Sequence, residues 1–209
     1  MKTENKKIRN AEKNTLFGIN FRSRLEALIY RTLIDKGLKP RYEEVTFTFV
    51  PKLRPEVPFF KRIKKVFGLD MKPLLPITYT PDFVLEYNGI TVIIEAKGFE
   101  NDVYPVKRNL FRRHLETLNK PIMFFEIRNR KELLEALRIV ENETPQIHQI
   151  RMALGKLPDE DISKALGLLE KRDWNALHKL VSKSITTDLT FNNLVLCELL
   201  NVLNEILEK

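Results

Sequence analysis

The dipeptide Asn88-Gly89 constrains this chain more than any other feature. It lies between two runs, Pro81 to Tyr87 and Ile90 to Lys97, that are rich in β-branched and aromatic residues. Asn-Gly in that setting favours a two-residue hairpin turn with both residues at positive φ. Such a turn sets the register. Tyr87 pairs with Ile90, and counting outward Asp82 falls directly opposite Glu95. Opposed side chains on an antiparallel pair share one face with β-carbons roughly 5 Å apart, so two carboxylates there repel. A hard divalent cation relieves that repulsion, and Mg²⁺ is typically held by one or two carboxylates together with water and phosphate oxygens.

Strand alternation puts Thr91, Ile93, Glu95 and Lys97 on one face, with Val92, Ile94 and Ala96 on the other. Lys97 therefore stands beside the acidic pair, where an ammonium can position or deprotonate a water and offset charge on a pentavalent phosphate transition state. The plainer alternative is a solvated, ion-paired sheet face. The apolar run Ile90 to Ala96 weighs against it, because an acidic pair at the edge of such a run is unusual.

Around this hairpin the pattern is mixed. Phe21, Leu25, Leu28, Ile29 and Leu33 follow helical spacing from an N-cap at Asn20 to a C-terminal Gly37, and Glu26 borders that apolar face, within reach of the acidic pair if the helix packs on the sheet. Val45, Phe47 and Phe49 alternate in a strand over 44–50. Residues 51–77 hold five of the eleven prolines and seven Lys/Arg against two acidic residues, which reads as an insertion. Within it, Phe59, Phe60, Ile63, Val66 and Phe67 suggest one face of a short helix whose other face carries Lys61, Arg62, Lys64 and Lys65. That helix suits core packing, a dimer contact or a membrane surface, and its lysines and arginine are candidate DNA contacts. A helix from Pro105 to Leu118, with Val106, Leu110 and Leu118 inward, then leads to a strand over 122–127, a parallel crossover. Asn129 and Glu132 form a capping box for a further helix carrying Leu133, Leu134, Leu137 and Val140.

The expected architecture is thus α/β, an α-β-β-β-α-β core with a mixed sheet over 15–142, preceded by a flexible basic tail over 1–14. A small all-helical domain of three or four helices follows over 143–209, with breaks near Pro158 and from Ser184 to Asp188. Charge divides the same way. The net +8 comes from 28 Lys/Arg against 18 acidic residues in 1–142 and eight against ten in the tail, which puts any polyanion surface on the first part. Lys107, Arg108, Arg112 and Arg113 crowd the helix after the acidic strand, where phosphate contacts would orient a nucleic-acid strand. The three histidines show no ligand spacing, and Cys197 and Trp174 read as core of the tail. With one cysteine, no signal segment and no apolar span, a reducing cytoplasm and no membrane partner are expected.

Pro81-Asp82 followed by Glu95-Ala96-Lys97 resembles the signature of PD-(D/E)xK nucleases. The ordered set Phe21-Arg22-Ser23-Arg24-Leu25-Glu26, Lys36-Gly37, Tyr42-Glu43-Glu44, Tyr79-Thr80-Pro81-Asp82-Phe83, Asn88-Gly89-Ile90 and Lys97-Gly98 is similar to the phage endonuclease I family of Holliday-junction resolvases. The resemblance spans about residues 17 to 130. It implies Asp82, Glu95, the Ala96 carbonyl and Glu26 as ligands of Mg²⁺ or Mn²⁺, and Lys97 as the catalytic lysine. It further implies cleavage of branched or Holliday-junction DNA by a homodimer in a bacterial or phage-infected cell. Arg41 departs from the pattern of some members, which are acidic at that point, and the 51–77 insertion replaces a shorter bridging segment, so the family's swapped dimer does not carry over directly. The tail has no counterpart there, and a second subunit or another protein is its expected partner. A transposon end-cleaving nuclease subunit and a non-catalytic DNA-binding module are the alternative readings.

Overall fold

The computed structural model describes residues 14–98, 102–186 and 190–208. The expected flexible tail over 1–14 lies outside them except for Asn14. The chain divides into two compact units, with the boundary between Asn142 and Glu143. The first mixes helices with a mixed sheet, and the second is helical.

The first unit opens with a small hairpin, β1 (Asn14–Leu16) and β2 (Ile19–Phe21), whose connection places Phe17 and Gly18 at positive φ. Asn20 therefore belongs to a strand and does not cap the first helix. The cap of α1 (Arg24–Asp35) is Ser23, whose side chain accepts from the Glu26 backbone N–H at 3.1 Å. Ser-x-x-Glu is a capping box, and it outcompetes Asn20 because it satisfies a free N–H of the first turn. The helix ends at a Schellman turn, with Gly37 at φ 75° and the Leu38 N–H donating to the Leu33 carbonyl at 3.0 Å.

The main sheet has the order β10-β9-β8-β3, formed by β3 (Arg41–Tyr42), β8 (Phe83–Tyr87), β9 (Ile90–Ala96) and β10 (Ile122–Ile127). Asn88 and Gly89 both take positive φ, and the pairing runs from Tyr87↔Ile90 to Phe83↔Ile94, the register expected from the turn. The helix α2 (Tyr104–Glu116) joins β9 to β10, which pair in parallel. Its inward face is Tyr104, Phe111 and Leu115, whereas Val106 is exposed. The helix is rotated from the expected setting because its aromatic residues, larger than valine, take the buried positions. Asn129 caps α3 (Arg130–Glu141), accepting from the Glu132 N–H at 3.0 Å; Leu133, Leu137 and Val140 are buried and Leu134 is exposed.

The two faces of the sheet carry different cores. Val92 and Ile94 pack with Ile29, Leu33, Leu133 and Leu137 of α1 and α3. Val84 and Ile93 pack instead with Phe111 and Tyr104 of α2 and with Tyr79. This second face is the one on which Glu95 and Lys97 lie.

The strand expected over 44–50 is shorter, β4 (Phe47–Val50), and does not join the main sheet. It pairs with β7 (Ile77–Tyr79), and a bridge from Leu53 to Leu74 leads on to a hairpin, β5 (Phe60–Ile63) and β6 (Val66–Leu69). The helix expected around Phe59 to Phe67 is thus a two-stranded arm. Phe60, Ile63 and Phe67 fit helical spacing, but the Lys64-Lys65 turn, with Lys64 at φ 58°, pairs Ile63 with Val66 and Arg62 with Phe67.

The second unit packs α4 (Pro145–Leu154), α5 (Asp159–Glu170), α6 (Trp174–Ser184) and α7 (Phe191–Leu207) around Leu154, Ala165, Leu169, Leu177, Val181, Leu199 and Leu203. Trp174 lies partly buried against this core. Cys197 does not: it is exposed, because α7 turns Leu196, Leu199 and Leu203 inward. Part of the expected break near Ser184, residues 187–189, lies outside the described residues. No described helix is long and apolar enough to cross a membrane.

Candidate active site

Asp82 immediately precedes β8, one step beyond the last paired residue Phe83. Its main-chain carbonyl accepts from the Glu43 N–H at 2.9 Å, and its side-chain Oδ2 accepts from the Ala96 N–H at 2.7 Å. The strand end is therefore tied down by the carboxylate itself. Burial, followed by the charge of Glu95 and, more weakly, of Glu26 and Glu43, pushes the Asp82 carboxyl up to about 8, against the Ala96 hydrogen bond. Burial also raises Glu95, against the pull of the nearby Tyr79 hydroxyl and the Lys97 ammonium. Burial thus disfavours ionisation of both acids, and the Glu95 charge adds to it at Asp82.

Lys97 lies on the same face, its Nζ 3.8 Å from Glu95 Oε1, with the two side chains 12% and 13% exposed. The ammonium also sits 3.1 Å from the centre of the Tyr104 ring, a cation–π contact that holds it at the mouth of α2. Its backbone N–H donates to the Ile127 carbonyl at 2.7 Å, which keeps β10 alongside just past the end of β9.

Glu26 is buried and well supplied with donors. Its carboxylate accepts from the Arg22 N–H at 3.0 Å, the Ser23 hydroxyl at 2.8 Å and the Tyr42 hydroxyl at 2.5 Å. Burial, and then the Glu26 carboxylate, raise the Tyr42 hydroxyl far above its usual range. Glu26 thus starts α1 and also contributes its charge to Asp82. Beside it, Glu43 adopts a left-handed φ of 52° and pairs with Arg22 at 2.5 Å. A non-glycine residue in that region signals strain held by its surroundings.

Three further residues join the site, none of them given a role by the sequence pattern. Glu126 of β10 pairs in register with Glu95 of β9, accepts from the Tyr104 hydroxyl and meets Arg108 Nη1 at 3.2 Å. Tyr104, the first residue of α2, carries Lys97 on its ring. Tyr79 buries its hydroxyl near Glu95 and Tyr104 with no partner at hydrogen-bonding geometry, and burial raises its ionisation far out of range. Glu126 is detectable as the one acidic residue in an apolar strand. Tyr79 falls in the Tyr79-Thr80-Pro81-Asp82-Phe83 stretch, which marks it without giving it a role, and Tyr104 leaves no local signal.

Among the candidate phosphate contacts, Lys107, Arg112 and Arg113 are exposed, while Arg108 turns inward to Glu126. Lys61 pairs with Asp70 at 2.5 Å, and Arg62, Lys64 and Lys65 are exposed on the arm. Among the described residues, no three His, Cys, Asp or Glu side chains form a metal-binding group.

No significant match was found to a curated protein or to a solved structure. A family model described as "Protein of unknown function (DUF1064)" matches residues 6–131, a span that contains every residue of the site described above. With more than half of its length matched, the chain belongs to the DUF1064 family.

Proposed function

We propose that the protein is a metal-dependent endodeoxyribonuclease of the PD-(D/E)xK kind, acting on branched or Holliday-junction DNA. The observation that carries this reading is the half-buried Asp82 and Glu95 pair, raised together towards the protonated state with Lys97 alongside. An arrangement that opposes its own ionisation suits a site completed by a cation. The donors fit Mg²⁺ or Mn²⁺: two carboxylates, the Ala96 carbonyl, and Glu26 directly or through water. When bound, the ion supplies the positive charge that lets both acids ionise and that polarises a phosphoryl oxygen.

The chain's own residues do the rest. Asp82, fixed by the Ala96 N–H, keeps its second oxygen available for a ligand. Lys97 orients a water towards the phosphorus and offsets charge on the phosphate in the transition state. Its lateral freedom is limited by Glu95 on one side and the Tyr104 ring on the other. Glu126 acts as a positioning residue, holding the Tyr104 ring through its hydroxyl. Two cuts on opposed strands need two such sites, hence a homodimer.

The test is incubation of the full chain with Mg²⁺ or Mn²⁺ on a four-way junction and on a linear duplex of the same sequence. Junction cleavage that Asp82→Asn, Glu95→Gln and Lys97→Ala each reduce by several orders of magnitude is the expected outcome. Variants that cut as fast as wild type would remove the site assignment, and a wild-type protein that binds but never cuts would favour a non-catalytic DNA-binding module.

A further inference from the structure

The arm beyond Val50 and Ile77 belongs to neither core. Its apolar residues are unusually bare: Phe59, Phe60 and Phe67 are 57%, 54% and 73% exposed, and Val66, Leu69, Leu74 and Leu75 are exposed with them. Clustered exposed apolar surface on a folded unit marks a binding face.

The hairpin register sorts these residues. Phe60 opposes Leu69 and Arg62 opposes Phe67, so all four share one face, while Lys61, Ile63, Val66 and Gly68 share the other. On the first face the Phe60 and Phe67 rings lie nearly parallel, 17° apart in plane with centroids at 6.2 Å. Together they form an aromatic step with a guanidinium beside it. Of the four basic residues at the tip, only Lys61 meets a carboxylate among the described residues, leaving Arg62, Lys64 and Lys65 uncompensated.

Charge selects the occupant. With seven Lys/Arg against two acidic residues over 51–77, a second copy of this arm would be repelled and a polyanion attracted. Flat, exposed rings flanked by cations are how proteins hold unpaired bases: the bases stack on the rings while the cations track the phosphates. An intact duplex offers no free base face to such a step.

We infer that the β5–β6 hairpin binds single-stranded DNA, stacking unpaired bases on Phe60 and Phe67 and holding the backbone with Arg62, Lys64 and Lys65. The inference deepens the nuclease reading, since it names the unpaired segment at a branch as the feature the enzyme grips, and it is tested by binding alone.

The experiment measures anisotropy of a labelled oligothymidine and of a matched duplex against the full chain in EDTA. Phe60→Ala/Phe67→Ala weakens oligothymidine binding by about one to two orders of magnitude and leaves duplex binding within about twofold. Phe67→Trp retains binding, and its added emission is quenched by the oligomer. Equal affinity of wild type and double variant for the oligomer overturns the proposal, as does an equal loss on both DNAs. Conversion of a dimer to a monomer by the double variant in light scattering, with oligomer binding unchanged, overturns it in favour of a contact between copies. Vesicles of anionic lipid that bind the arm when the oligomer does not overturn it in favour of a membrane surface. Retained thermal melting of the double variant excludes misfolding as the cause of any loss. Arm-dependent binding without cleavage in Mg²⁺ would leave this inference standing and remove the nuclease reading.

Discussion

Replacing Asp82 by Asn removes the cost of ionising a buried carboxylate beside Glu95. The amide of the Asp82→Asn variant retains an oxygen to accept the Ala96 N–H and removes the charge that Glu95 repels. The Asp82 carboxyl is displaced upward from 3.8 to about 8, first by burial and then by Glu95. Because the folded value lies above the unfolded one, the contribution of the protonated acid to stability is fully present below pH 3.8 and is lost as pH rises through about 8. At about 1.4 kcal/mol per unit, the ionised form costs the metal-free fold several kcal/mol at pH 8 as an upper bound, part of it shared with Glu95. For a unit of this size that corresponds to a melting temperature higher by roughly 10 °C in the variant. The five tyrosines all lie in the first unit and the single tryptophan in the second, so tyrosine near-UV dichroism follows the relevant transition. In EDTA the variant gains nothing near pH 4, gains progressively above it and levels off past pH 8. Saturating Mg²⁺ raises the wild type and not the variant. A variant less stable than wild type at pH 8, or a difference independent of pH, would refute the opposed-pair argument.

Three further outcomes are expected. Glu26→Ala lowers the tyrosine melting transition by about 2 kcal/mol, through loss of the capping box and of the Tyr42 partner, whereas Glu26→Gln keeps most of the stability and loses cleavage; equal cleavage by Glu26→Gln and wild type would confine Glu26 to the helix start. In the second unit, Glu143 has a side chain only 1% exposed and is paired bidentately with Arg151 at 3.1 and 3.0 Å. Against burial, which raises it, His148 and Arg151 hold its carboxyl below the usual range, so Glu143→Ala leaves the half-buried Arg151 unpaired and costs about 3 kcal/mol in unfolding followed at Trp174, with wild-type stability itself falling as acid protonates Glu143. Reversing the charges of Arg112 and Arg113 flattens log affinity for duplex DNA against log salt by about one per lost phosphate contact, and an unchanged slope makes them an ordinary solvated face.

What the sequence discloses follows the reach of each rule. The Asn88-Gly89 turn, the Asn129 cap and the Gly37 terminus each depend on a few neighbouring residues, and each is readable. The arm reads as a helix because Phe60, Ile63 and Phe67 satisfy helical spacing, while the deciding feature, a turn with Lys64 at positive φ, is one that lysine does not advertise. The hairpin rule reaches the juxtaposition of Asp82, Glu95 and Lys97. Glu126 comes beside Glu95 only through parallel pairing across α2, a register that no local rule supplies. Asn20 and Ser23 compete as caps because both residue types suit the position, and only Ser23 has Glu three residues on.

The base of the arm carries an evolutionary consequence. Phe47 and Tyr79 pair at the point where β4 and β7 pack under α2, and beyond Val50 and Ile77 most of the large apolar side chains are exposed. Neither strand hydrogen-bonds to the main sheet, so a length change past this base shifts no register among the strands that hold Asp82 and Glu95. Insertion and deletion are therefore cheaper here than within the strands of the main sheet. Across the family the arm is the segment expected to vary in length and composition while Asp82, Glu95 and Lys97 stay fixed, so that on the proposed function selection could retune binding at the arm without altering the acidic site.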